Sequence, residues 1–393
     1  MANKWFAELN KLGETAKRDA DIFARVLRTP SPSVNFIFGN THGLPRGFSM
    51  LLWGPPGGGK SLLANSMIGQ THRDDPESMV VKFDAEMRDA GQLRPVADTF
   101  GVDLDRYIVY QENDPAAIFD RIKYKIGPMC ERGAPIPLIV IDSINAVQGK
   151  REAEAESVTQ HIIGDHAKTV QDGLKMILPI QRKYGISLVL IAQQRSELDM
   201  WEQKRGNKTK AAVSHATQHH CEYFVYAERN KTKAGQTDEL GNTFEDASRK
   251  DVTDSAETTG HKVRVWMQKS SFSGGGRTGE FTLDYKRGVI NQHEEVFRLG
   301  TKWGIIGRPS MAYFELGGQK YNGKAACLEA LKNDPKLQAL VIQGLLAAEK
   351  EQRIAHTSVS TDADDAATIE KAFADAEDGD EESVETVAKK KGK

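Results

Sequence analysis

The sequence predicts an α/β fold with a mostly parallel central sheet, on three observations. Short apolar runs alternate with stretches long enough for crossover helices from Phe48 to about Ile290. A glycine-rich segment, Gly54-Pro55-Pro56-Gly57-Gly58-Gly59-Lys60-Ser61, lies between one such run and a helical stretch. The 393 residues, 39% apolar, suffice to bury a sizeable core in two or so domains without covalent staples.

In chain order, Trp5, Phe6, Leu9 and Leu12, then Ile22, Phe23, Val26 and Leu27, recur at helical spacing on either side of Gly13. They predict short amphipathic helices whose greasy faces dock on this chain or on a neighbour. The Pro/Ser-rich stretch 29–33 reads as a linker. Strands are expected at 49–53, 79–83, 138–141, 187–192, 223–226, 262–267 and 280–284, the last three close enough together for an antiparallel edge. Stretches 148–165 and 194–214 are polar and glycine-bearing, and 229–260 reads as a flexible insertion. Residues 296–350 form a smaller α-rich unit. The expected organisation is an N-terminal helical oligomerisation segment (1–35), a core (36–290), a small C-terminal domain (291–350) and an acidic disordered tail (351–393).

The formal charge is −2, from 53 Lys+Arg and 55 Asp+Glu, and its distribution is uneven. Residues 361–393 hold 11 acids and five Lys, a balance of −6, which leaves the body at +4. This tail is too poor in aromatic and β-branched residues to offset its ordering entropy. It reads either as solvated chain or as a detachable polyanion competing with nucleic acid for a basic surface. Three scattered cysteines exclude a disulfide framework and a CxxC zinc site, and point to a reduced, intracellular setting. No apolar run approaches 18 residues, and the N-terminus lacks a signal peptide's apolar region, so no membrane partner is expected.

The segment 54–61 fits GxxxxGK[ST] without a mismatch, after an apolar strand and at the head of a helix. Its glycines let backbone N–H groups curl around phosphates at a helix N-terminus, where the dipole favours anions. Residues Gly54 to Leu62 are therefore the expected ATP-binding segment, with Lys60 reaching the β- and γ-phosphates and Ser61 a ligand of Mg2+. The apolar run 138–141 ends in Asp142, the expected second Mg2+ residue.

The loop is similar to that of AAA+ ATPases, but those place a catalytic Glu directly after the strand-ending Asp, where this chain has Ser143. A water-orienting carboxylate must come from another strand end. Glu86, 26 residues after Lys60 and just past the run 79–83, is the candidate. Asp89 reads either as an adenine contact or as an exposed helical Asp. His219-His220-Cys221 is expected to open a strand, where neighbours face opposite ways.

The chain resembles RecA-family recombinases in several segments. These are NTHGLPRG at 40–47, FDAE at 83–86, FGVDLDR at 100–106, VIDS at 140–143, LIAQQR at 190–195 and VRVWMQKSSFSGGGRTGEFTLDYKRGVI at 263–290, with NGKAACLEALKNDP from Asn322. The likeness covers roughly residues 30–345, and within the family the phage UvsX-type recombinases look most similar. It implies an α/β fold with a RecA-type P-loop ATPase core. It implies ATP and Mg2+ as cofactors, and an ATPase that forms a helical homo-oligomeric filament on single-stranded DNA and exchanges strands with homologous duplex. Gln193 matches the γ-phosphate-sensing Gln. The stretch after it, with Arg195, Trp201, Lys204, Arg205, Lys208 and Lys210, matches the DNA-contacting loop, and 148–165 matches the family's other DNA loop. Lys269 aligns with one of two lysines that reach ATP on the adjacent subunit, the other position being Met267 here. The resemblance further implies single-strand-binding and mediator partners and a cytoplasmic setting, in a bacterial host if phage-encoded. A RecA-fold hexameric DNA helicase and a regulatory ATPase without strand exchange are the rival readings.

Overall fold

Leu51 and Leu52 are adjacent and both fully buried. Successive residues of a strand face opposite ways, so both faces of the sheet around them must be covered. The computed structural model describes residues 25–89, 91–147, 165–197, 200, 204, 209–230, 236–237 and 259–359. The chain divides into two units, residues 1–342 and 343–393, and the sheet belongs to the first.

The strands are β1 (Val26–Leu27), β2 (Leu44–Pro45), β3 (Ser49–Gly54), β4 (Val80–Asp84), β5 (Tyr107–Tyr110), β6 (Leu138–Asp142), β7 (Ser187–Ser196), β8 (Thr209–Ala211) and β9 (Tyr223–Arg229). They continue with β10 (Gln236–Thr237), β11 (Gly260–Ser270), β12 (Thr278–Asp284), β13 (Gly288–Ile290), β14 (Tyr313–Leu316) and β15 (Gln319–Asn322). The main sheet runs β13-β12-β11-β9-β3-β7-β6-β4-β5, with β10 on β11 and β8 on β7. From β9 to β5 every pairing is parallel, and β9, β11, β12 and β13 are antiparallel in turn. The expected antiparallel edge is therefore present. Its first strand, β9, also pairs in parallel with the phosphate-loop strand β3.

Each sheet face has its own core. Met50, Leu52, Val140, Val189 and Ile191 pack with Leu63, Met67 and Ile68 of the helix Lys60–Asp74. Leu51, Trp53, Phe83, Ile139 and Leu190 pack on the other side with Ile118, Phe119, Leu174 and Ile177. Those four residues come from the helices Pro115–Arg121 and Asp165–Tyr184.

Several expectations are corrected. Val26 and Leu27 form a short strand on Leu44 and Pro45 rather than a helical stripe. The stretch read as a linker instead starts a helix, Pro32–Phe36, because Ser31 accepts from the Val34 N–H at 3.1 Å and Pro32 sits in its first turn. His215–His220 is a helix capped by Ser214, with Cys221 at its end, so the strand opens only at Tyr223. β5 was not anticipated, nor was the hairpin β14–β15 inside the α-rich region, whose other parts are the helices Gln292–Lys302, Gly323–Asn333 and Pro335–Val359. β7 runs four residues past Ala192, and β8 returns along it. The polar stretch after Gln193 thus begins as a hairpin. Of the stretch 229–260, Arg229 ends β9, and Gln236 and Thr237 pair with His261 and Gly260. The apolar N-terminal residues before Arg25, most of 148–165 and the tail from 360 lie outside the described residues. No helix among the described residues is long and apolar enough to cross a membrane.

Candidate nucleotide site

The parallel strands β3, β6, β4 and β7 end at one sheet edge, where ligands of such sheets bind. A cavity of about 410 Å3 opens there, lined by Pro56 to Leu62, Glu86, Asp142, Ser143 and Gln193. The sequence separates these side chains by up to 137 residues (56 to 193), and the strand ends collect them.

The phosphate loop is built on backbone conformations that favour glycine. Gly59, at φ 86°, caps the helix Lys60–Asp74, and the Leu63 N–H donates to its carbonyl at 2.8 Å. Gly54 lies so near β9 that a Cβ there would stand 2.0 Å from the Ala227 carbonyl oxygen. The Lys60 ammonium donates to the Gly54 and Pro55 carbonyls at 3.0 and 2.8 Å. Burial lowers its pKa, with Asp142 and Glu86 pulling the other way. A desolvated cation held on two loop carbonyls can exchange those partners for phosphate oxygens.

Asp142 ends β6 and is hydrogen-bonded to Ser61. Burial pushes its carboxyl up, against the pull of Lys82 and Ser61. Lys82, in the middle of β4, is 1% exposed and lies 3.3 Å from Asp142 and 2.9 Å from Asp89. Burial lowers the Lys82 pKa, but the two carboxylates outweigh it and the net shift is upward. Asp89 is thus neither helical nor free; it braces a buried lysine. A paired hydroxyl and carboxylate are the hard oxygen donors that suit Mg2+, which keeps several waters and needs only one or two protein ligands.

Glu86 follows β4, which stands three places from β3 in the sheet rather than beside it. It still reaches the cavity, because Ala85 donates its N–H to the Asp142 carbonyl and draws the segment toward β6. Its Oε1 accepts from the Ser143 hydroxyl at 2.7 Å and from Gln193 Nε2 at 3.1 Å, and Oε2 pairs with the exposed Arg88 at 2.7 Å. The Gln193 N–H donates to Asn145 Oδ1 at 2.7 Å. Asn145 in turn donates to the Ala212 carbonyl. Ser143, the residue that argued against an AAA+ site, orients the carboxylate.

Two residues beyond Gln193, Arg195 is exposed and opposite Lys210 in the β7–β8 hairpin. Lys210 is half-buried and pairs with Glu197 at 2.5 Å. Lys204 is exposed. Trp201, Arg205 and Lys208 lie outside the described residues. Lys269 does not join the cavity. It sits eight residues along β11 from the lining residue His261, roughly 25 Å at strand spacing, and donates to the Gln218 and Cys221 carbonyls at 3.4 and 3.2 Å. Met267 is fully buried.

Sequence reasoning missed Arg229, His261 and Tyr285, which also line the cavity. The signal that would have found them is the strand order. Once β9 and β11 are known to follow β3, their ends must flank the loop.

A family model for the RecA N-terminal domain matches residues 6–244, and the chain belongs to the RecA family. The protein RecA of Thermus thermophilus is 25% identical over 329 residues, which cover 83% of this chain and 85% of the relative. RecA of Methylococcus capsulatus is 25% identical over 366 residues, 92% of each. The crystal structure of the RadB recombinase matches at 18% identity with a TM-score of 0.45, over 67% of this chain and 98% of that one.

Proposed function

We propose that this chain is an ATP-dependent DNA recombinase that polymerises on single-stranded DNA and pairs it with homologous duplex. One observation carries the reading. Gln193 donates to Glu86 inside the nucleotide cavity, and its own strand continues within two residues into the Arg195–Lys210 hairpin. A side chain that touches both the hydrolytic carboxylate and the base of a basic hairpin is suited to couple nucleotide state to DNA grip.

Lys60 neutralises charge on the β- and γ-phosphates, and Glu86, held by Ser143 and Gln193, orients the attacking water. Ser61 and Asp142 would hold Mg2+, which supplies further charge neutralisation. Loss of the γ-phosphate removes a hydrogen-bond partner from Gln193 and lets the hairpin shift. Arg195, Lys204 and Lys210, with Trp201, Arg205 and Lys208, grip phosphates and bases without sequence preference. Lys210 must exchange Glu197 for phosphate to take part. Lys269, remote from its own cavity, reaches the ATP of a neighbouring subunit, and residues 1–35 join protomers. Single-strand-binding and mediator proteins are the expected partners, in a cytoplasmic setting, that of a bacterial host if the chain is phage-encoded.

The test is ATP hydrolysis with and without single-stranded DNA, followed by negative-stain imaging of the same mixtures. A DNA-stimulated rate and helical filaments are expected. A rate indifferent to DNA, or closed rings, refutes the recombinase reading.

A further inference from the structure

The His261 side chain is buried, yet only one of its ring nitrogens is satisfied. Nδ1 lies 2.9 Å from the Tyr285 hydroxyl, while Nε2 has no hydrogen-bond partner among the described residues. Buried polar atoms are normally paired, so an orphan on a residue that lines a cavity points to something that enters it. The nitrogen lies beside the phosphate loop, since a Cβ built on Gly59 would be 3.9 Å from it. His261, Arg229 and Tyr285 line the same cavity as Pro56 to Leu62. Burial, helped by the positive charge of Arg229, lowers the His261 pKa to about 4, so the ring is neutral near pH 7 and carries one N–H. When the Tyr285 hydroxyl is the donor to Nδ1, that N–H sits on Nε2, beside the loop.

We propose that His261 is a nucleotide-positioning residue whose Nε2–H donates to a phosphate oxygen of the bound nucleoside triphosphate, with Arg229 supplying the accompanying positive charge. The inference rests on reading the cavity as an ATP site. Phosphate is the favoured partner because the phosphate-loop glycine beside Nε2 and Arg229, in the same cavity lining, are both suited to anions. Tyr285 acts through His261 by holding its Nδ1 at 2.9 Å.

The experiment measures displacement of a fluorescent ATP analogue from the full-length chain by ATP and by inorganic tripolyphosphate. It compares wild type, His261→Leu and His261→Gln, with thermal unfolding recorded for each. His261→Leu should weaken both competitors about tenfold or more, as expected for a hydrogen bond to a charged group. His261→Gln, which restores an N–H, should recover most of the loss. Equal affinities in all three, with a wild type that binds ATP, overturn the inference and leave the ATP site standing. A loss for ATP but not for tripolyphosphate overturns the phosphate assignment. A wild type that binds neither competitor overturns the site reading and the inference together. If the leucine variant does not fold, nitrogen NMR of the wild-type imidazole decides. The Nε2 resonance should shift on adding a non-hydrolysable ATP analogue, and an unmoved resonance overturns the inference.

Discussion

Glu86→Gln is the substitution that separates a catalytic carboxylate from a structural one. Glu86 Oε1 accepts from Ser143 at 2.7 Å and Gln193 at 3.1 Å. Hydrogen bonds to a charged group are worth roughly 1.5–3 kcal/mol and neutral ones about 1, so neutralising this acceptor costs about 1–4 kcal/mol over the two. The Arg88 pair adds under about 1 kcal/mol because Arg88 is 75% exposed. The melting temperature should fall by only a few degrees. Glutamine keeps the shape and can still accept from both donors, so the cavity and its affinity for ATP should survive. Turnover should not, since a positioned general base contributes about 10²–10⁴-fold. Phosphate release with saturating single-stranded DNA, and titration with a fluorescent ATP analogue, give the two numbers. A variant with wild-type turnover and only the stability loss would show that Glu86 merely braces Ser143 and Gln193.

Lys60→Ala should abolish hydrolysis and weaken ATP binding; persistent turnover in a phosphate-release assay would refute the loop's role. Glu295 accepts from the Ser31 hydroxyl at 2.5 Å and the Ser33 N–H at 2.9 Å, and burial raises its pKa from 4.5 to about 7. A raised carboxyl favours folding in its protonated form, so its contribution is complete below about pH 4.5 and is lost as pH climbs to about 7, some 3 kcal/mol in all. Denaturant unfolding of Glu295→Gln should lack that slope, and parallel wild-type and variant curves would contradict the assignment. Deleting residues 361–393 removes a balance of −6 and should raise affinity for single-stranded DNA, most at low salt. Equal affinities would leave the tail as solvated chain.

The parts of the site that could be read from sequence each carry a local signature. The phosphate loop is a contiguous motif, and Asp142 and Glu86 follow strand-like runs. Gln193 was placed by its likeness to a family segment. The rest depends on which strands become neighbours. β9 pairs with β3 across 169 residues of chain (54 to 223), and no periodicity records that choice. It is the choice that brings Arg229 and His261 to the loop. Lys82 interrupts an apolar run and looks like a solvent-facing residue; only the convergence of Asp89 and Asp142, from two other segments, makes it a buried one. The hairpin after Gln193 hid behind its polarity, because the residues that pair in it, Gln194 to Ser196 with Thr209 to Ala211, are few and all polar but Ala211. Ser143 was read as standing where AAA+ ATPases place a glutamate, and its hydroxyl turned out to donate to Glu86.

Strand exchange tests directly whether ATP in this cavity drives pairing of DNA strands, using a labelled single-stranded oligonucleotide, homologous duplex and the full-length chain. Labelled heteroduplex product should form, should require both ATP and homology, and should disappear in Lys60→Ala. A chain that binds single-stranded DNA and hydrolyses ATP, yet yields no product with homologous duplex, would contradict the recombinase reading.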